Sequence, residues 1–361
     1  MDRLRRLPDS LAMLFRDAQF YRLCMPASFG GLEADPRTVA ETIEALAEAD
    51  ASAAWCITVS ATTGAFGAYL DPDVAKSIFP DPALIFAGVY APMGKATLEA
   101  DSYRVTGQWK WNSGGQNATW LCGGCMIYEN GAPRMLTEKI PDHRMMLFPA
   151  SDVTFIDTWH TSGLRGTGSG DMAVRDLLVP ASRSVSLIAD KPRITTPLYA
   201  FPIFGLLAIG IAAVASGNAA AALREFAALA SSKRTPTGRM LSDRGTIQAA
   251  YAEASARLRA ARAFLFAEID AAWSQAQTGS GIPLEQRATL RLSATHMTRT
   301  AAEVVRTIQD LAGGASVFSA DPLNRRVADA QAMTAHIMTA PATYELTGRA
   351  LLGVPVSSVE L

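Results

Sequence analysis

The sequence predicts an α+β fold in three successive zones. These are an N-terminal helical domain over residues 1–83, a middle antiparallel β-barrel or sandwich over 84–186, and a C-terminal four-helix bundle over 187–361. The first supporting observation is the hydrophobic period, which is three to four residues in the outer zones and two in the middle one. The second is punctuation: Gly, Asn and Pro break up the middle zone between its alternating runs. The third is size, since 361 residues with 49% apolar side chains suffice for about two to three domains with buried cores.

In the first zone Leu11, Leu14 and Phe15 share one helical face. Val39, Ile43, Leu46 and Ala47 form a second stripe, with Glu41, Glu44 and Glu48 turned outward and Pro36 near the helix start. Alternation sets in with Tyr103-Arg-Val105-Thr-Gly107-Gln-Trp109-Lys-Trp111. It returns over 120–128 and 172–179, and Glu129-Asn-Gly131 reads as a turn. Helical spacing resumes over 211–229, 248–273 and 286–311, with a glycine-rich linker around Ser280. The longest apolar stretch, 200–217, contains Pro202 and many small residues, so it reads as a buried bundle helix rather than a membrane span.

Charge excludes one function class. With 33 basic and 34 acidic residues, the chain is not a nucleic-acid binder working through a basic surface. Cys122-Gly-Gly-Cys125 is a lone C-x-x-C without a second pair, which reads as strand and turn cysteines, with no metal site expected. The basic start, MDRLRRLPDS, has no apolar run after it and is no secretory signal. The expectation is a soluble, cytoplasmic protein without membrane or nucleic-acid partners.

Five features bear chemistry. Residues 161–170 gather four glycines, four hydroxyl residues and one arginine before a short strand ending at Pro180, and such a turn lets backbone approach a flat or charged ligand. Trp111-Asn112-Ser113-Gly114-Gly115 sets an aromatic, a hydroxyl and two glycines where a planar ligand could be walled, though an ordinary strand-end turn reads the same. Arg234-Thr-Pro-Thr-Gly238 follows a helix as a solvated cap would, and Gln309-Asp-Leu-Ala-Gly313-Gly314 ends one as a C-cap would. His336 is a histidine in a helical stretch.

Together, and in this order, these segments resemble the acyl-CoA dehydrogenase superfamily, most of all its reduced-flavin-dependent, two-component monooxygenase branch. The Gly-Leu-Arg-Gly-Thr-Gly-Ser loop with a Val-Pro exit matches almost residue for residue, and the resemblance covers nearly the whole chain. It implies that Trp111, Ser113 and Gly114 line the isoalloxazine ring, with the Ser113 hydroxyl at N5. Arg234 would reach a flavin phosphate, and Gln309, Gly313 and Gly314 would receive the phosphate and ribose end. Thr237 stands where relatives carry phenylalanine, which leaves FAD and FMN both open. Asn324-Arg-Arg326 and Asp329 loosely match a further Arg-x-x-Arg-Asp motif. His336 would face the ring, deprotonating a phenol or hydrogen-bonding a peroxide oxygen. Ser113 and His336 would thus be the catalytic pair on one flavin.

The same resemblance weighs dehydrogenation against oxygenation. A dehydrogenase needs a carboxylate base, and Ala335-His336-Ile337 offers none; Glu345 lies about two helical turns on, and the alternative position near 205–210 is apolar. The function implied is therefore the oxygenase component of a flavin-dependent monooxygenase, passing through a C4a-hydroperoxyflavin. It would use O2 and a separate flavin reductase and form a homotetramer through the small-residue face of Ala212, Ala215 and Gly217. An acyl-CoA dehydrogenase with a displaced base and a catalytically silent flavin binder are the rivals. Phenol hydroxylases of the branch often carry a histidine after Ala54-Trp55; here Thr58, Ser60, Thr62 and Thr63 follow, which suits a sulfur, indole or amine substrate better than a phenol.

Overall fold

The structure, a computed structural model, describes residues 1–234, 238–357 and 361, apart from the side chain of Ala315. Four helices come first: α1 (Asp9–Asp17), α2 (Pro36–Ala49), α3 (Ala51–Gly64) and α4 (Pro72–Ile78). Eight strands follow: β1 (Phe86–Glu99), β2 (Ser102–Trp109), β3 (Trp120–Glu129), β4 (Ala132–Pro133), β5 (His143–Pro149), β6 (Thr154–Ile156), β7 (Asp171–Pro180) and β8 (Ser184–Val185). Helices then return as α5 (Pro197–Ala200), α6 (Ile203–Ser232), α7 (Gly245–Gln277), α8 (Leu284–Ala312), α9 (Pro322–Met333) and α10 (Ala342–Leu351). This is the α+β order expected of the sequence. By compactness the chain divides into two units. One comprises Met1–Asp35, Cys56–His160 and Arg165–Ile203, the other Pro36–Trp55, Thr161–Leu164 and Phe204–Leu361.

In the first unit the strands form one sheet in the order β6-β7-β2-β1-β3-β5-β8, with β4 beside β3. Pairing is antiparallel except between β1 and β3, which run parallel. The cause is the segment after β2. That strand returns antiparallel along β1, and the turn at 110–119 then carries the chain across to start β3 opposite Phe86. Trp109 anchors this crossover. It is fully buried and donates its indole N–H to the Gly124 carbonyl at 2.7 Å. A Cβ on Gly94, Gly107 or Gly123 would sit 2.4–2.7 Å from its ring, so those three positions admit no side chain while Trp109 is in place. Cys122 and Cys125 are three apart on β3 and therefore face opposite sides of the sheet. Each joins a different apolar cluster, and burial pushes the Cys125 thiol up to about 12.

The second unit is built on α6, α7 and α8, of 30, 33 and 29 residues, with α2, α9 and α10 against them. Helix α6 is long and apolar enough to cross a membrane, and 94% of its most apolar window is buried inside the protein. A Cβ on Gly217 would lie 2.1 Å from the Glu44 carbonyl oxygen, so α6 and α2 touch backbone to backbone. Ser216 donates to the Glu44 carboxylate at 2.5 Å, and Arg262 of α7 forks onto it at 2.7–3.0 Å. Ala212, Ala215 and Gly217 are thus buried in the chain itself. The small-residue face serves intrachain helix packing and is not an exposed assembly surface, which corrects the reason given for a tetramer.

Candidate active site

The crossover turn of the first unit gathers the β-side candidates. Trp111 ends the alternation at φ +67, a left-handed conformation uncommon for a non-glycine residue, and is 60% exposed. Asn112 and Ser113 turn inward and are buried. The turn is held by Asn112 N–H to the Gly170 carbonyl (3.0 Å), Gly114 N–H to the Thr167 carbonyl (2.8 Å) and Gly115 N–H to the Asn112 carbonyl (3.2 Å). Gly114 has φ +72, and its α-carbon packs toward Cys56, whose thiol donates to the Thr167 carbonyl at 3.7 Å.

This docking brings the glycine-rich loop onto the turn and makes a chain of three buried hydroxyls. Ser113 Oγ lies 2.7 Å from Ser169 Oγ, which lies 2.6 Å from Thr167 Oγ1. Ser169 and Thr167 were not singled out in the sequence; the signal was their spacing within Gly-Thr-Gly-Ser, but only the fold shows that they meet Ser113. Beside them Asn112 Oδ1 is buried without a hydrogen-bond partner among the described residues. The assembly carries no formal charge. It offers hydroxyl donors and acceptors, one amide oxygen and an exposed indole face.

In the second unit His336 does not lie on a helix. Helix α9 ends at Met333, and His336 caps a short 3₁₀ turn, Ile337–Thr339. Its Nδ1 accepts the Met338 N–H at 3.2 Å, so the neutral ring carries its proton at Nε2. The Trp55 ring packs edge-on at 5.5 Å. Arg291 of α8 is buried and donates to the Met338 carbonyl at 3.2 Å, clamping the same turn. Desolvation, and then the Arg291 charge, push the imidazole down to about 4. It is therefore neutral at pH 7.

Arg234 lies on the surface two residues beyond the end of α6 and donates to the Gly238 carbonyl at 2.8 Å; Thr237 lies outside the described residues. The neighbouring Lys233 reaches the Ala312 carbonyl at 2.8 Å, which sets the Arg234 end of α6 beside the Gln309–Gly314 end of α8. Gln309 is half-buried, and Gly313 and Gly314 are exposed. Gly313 has φ +62 and ψ −149, a combination that only glycine tolerates. Lys233 beside an open glycine turn, with Arg234 next to it in sequence, suits a phosphate. The Arg-x-x-Arg-Asp likeness is different. Arg326 is buried and bound to Glu225 and to the Ala47 and Glu48 carbonyls. Asp329 accepts the Leu164 N–H at 2.6 Å. Both hold the chain together.

Residues 209–341 match the family Acyl-CoA dehydrogenase, C-terminal domain. The indole-3-acetate monooxygenase of Pseudomonas putida is 33% identical over 353 residues, covering 98% of this chain and 89% of that protein. The 3-HSA hydroxylase from Rhodococcus sp. RHA1 superposes with a TM-score of 0.92 at 26% identity, over 100% of this chain and 94% of that one. XiaF from Streptomyces sp., solved with FADH2 and glycerol, gives a TM-score of 0.90 at 25% identity, over 98% and 90%.

Proposed function

This chain belongs to the acyl-CoA dehydrogenase superfamily, among its flavin-dependent monooxygenases, and from that premise we propose that it is the oxygenase component that oxygenates an indole-type aromatic substrate. The overall balance is reduced flavin plus O2 plus substrate giving oxidised flavin, oxygenated substrate and water. A separate reductase supplies the reduced flavin, FAD or FMN.

The buried hydroxyl chain Ser113–Ser169–Thr167 is the observation that carries this proposal. The residues present fit a flavin. Trp111 exposes an indole face for stacking, Ser113 offers a hydroxyl to a ring nitrogen, and Asn112 Oδ1 is a buried acceptor awaiting a donor. Arg234, Gln309, Gly313 and Gly314 would hold the phosphate and ribose end. When bound, reduced flavin supplies the two electrons that activate O2. The chain's own part is to keep neutral hydrogen-bonding groups around it and to exclude water.

His336 fits the second of its two expected roles. An imidazole with a pKa near 4 is a poor base toward a phenol of pKa about 10. With Nδ1 occupied by Met338, it presents Nε2–H as a fixed donor. A dehydrogenase would require a carboxylate there, and Glu345 is exposed on α10. The substrate class is drawn from the Pseudomonas relative's name and from the uncharged α3. Homotetramer formation through the exposed Val317–Phe318 and Leu351–Leu352 of the second unit, and a cytoplasmic setting, belong to the same proposal.

Anaerobic equilibrium dialysis tests it. Reduced FAD or FMN should bind more tightly than the oxidised form, and admitting O2 with indole-3-acetate should yield an oxygenated product. Tight binding of oxidised FAD that an acyl-CoA reduces would show a dehydrogenase instead.

A further inference from the structure

Helix α3 carries four hydroxyl residues after Trp55, and three of them are used within the fold. Ser60 Oγ accepts the Phe86 N–H at 3.2 Å. Thr62 Oγ1 donates to the Thr58 carbonyl at 2.7 Å, and Thr63 Oγ1 donates to the Val59 carbonyl at 2.8 Å. Bonding four residues back is how a helical threonine normally satisfies its hydroxyl. Thr289, Thr295, Thr298, Thr307 and Thr347 do the same. Thr58 does not. It is 3% exposed, yet its Oγ1 has no hydrogen-bond partner among the described residues.

A buried hydroxyl without a partner is destabilising, and here the local remedy, the Ala54 carbonyl, is left unused. We propose that Thr58 is a specificity-determining residue whose hydroxyl accepts a hydrogen bond from a neutral ring N–H or O–H of the aromatic substrate. This rests on the monooxygenase reading given above. Ala51–Gly64 contains no charged residue, so α3 itself offers no counter-charge to a carboxylate placed against this hydroxyl. A neutral donor such as an indole N–H matches it. A site built to bond such a donor discriminates against analogues lacking it, because its own polar atom is then left unpaired.

The test is a double-perturbation cycle of Thr58→Val, an isosteric change, with N-methylation of indole-3-acetate. Binding is read by calorimetry without flavin, and KM and kcat are read with it. Thr58→Val should weaken binding and raise KM for indole-3-acetate about tenfold, with kcat nearly unchanged and thermal stability equal or higher. N-methyl-indole-3-acetate should bind both proteins with the same weak affinity, and Thr58→Ser should restore the parent affinity. If wild type binds and turns over indole-3-acetate and Thr58→Val does so equally well, the role of Thr58 is overturned while the monooxygenase reading stands. The same holds if the two perturbations simply add, since the hydroxyl then holds only a water. Wild type that neither binds nor oxidises indoles overturns the substrate reading and this inference together.

Discussion

The Ser113 turn and the His336 turn reach neutrality by different means. Around Ser113 the groups are intrinsically uncharged, and backbone docking of one loop on another positions them: three of the holding bonds are main chain to main chain. His336 is a titratable group kept neutral by its surroundings, with one main-chain N–H fixing its tautomer and desolvation, then a buried arginine, disfavouring its protonation. The first arrangement should be robust to pH and sensitive to backbone changes. The second should be the reverse.

The largest expected effect is at the hydroxyl chain. Ser169→Ala removes the group that both Ser113 and Thr167 contact and should cost about 2 kcal/mol by chemical denaturation, against about 1 kcal/mol for Ser113→Ala. Equal costs would mean that Ser169 is not the hub. Next, Arg234→Gln should raise the reduced-flavin dissociation constant about tenfold and leave the fold untouched; unchanged affinity would remove Arg234 from the cofactor site. At the other turn, His336→Ala loses the cap on Met338 N–H and should cost about 1 kcal/mol, whereas His336→Asn keeps an acceptor at that reach and should recover most of it. Product yield should fall in both variants, which separates the capping role from the donor role.

The one effect that appears only on acidification is the pH dependence at His336. The folded pKa of His336 lies below its ordinary 6.5, at about 4, so the unfolded chain binds the proton more readily between those values. The stability this contributes is fully present above pH 6.5 and is lost as pH falls towards 4. The stability difference between wild type and His336→Asn should therefore slope across that window and be flat above it. A flat difference throughout would show an unperturbed imidazole.

Much of the fold was legible because period reports secondary structure directly: β2 and β7 follow the alternation around Trp109 and Val174, and α7 and α8 follow the long apolar spacing. The parallel β1–β3 pair was not, since strand order depends on where the turn at 110–119 sends the chain, and no local signal encodes that. At the candidate site, Ser113 and His336 could be named from motif likeness, but their surroundings could not. Ser169 lies 56 residues from Ser113, and Arg291 lies 45 residues before His336. Composition also misled over Gly217: a small-residue stripe looks the same whether it packs on a neighbouring molecule or, as here, on the chain's own α2.

The most direct measurement is single turnover of the reduced-flavin complex with oxygenated buffer and indole-3-acetate, counting product against released hydrogen peroxide for wild type and Ser113→Ala. Wild type should convert most of the reduced flavin into product, and Ser113→Ala, folded and still binding flavin, should release mostly peroxide. Equal product yields from the two proteins would contradict the assignment of Ser113, and no product from wild type with either reduced FAD or reduced FMN would contradict the proposed oxygenation of indoles.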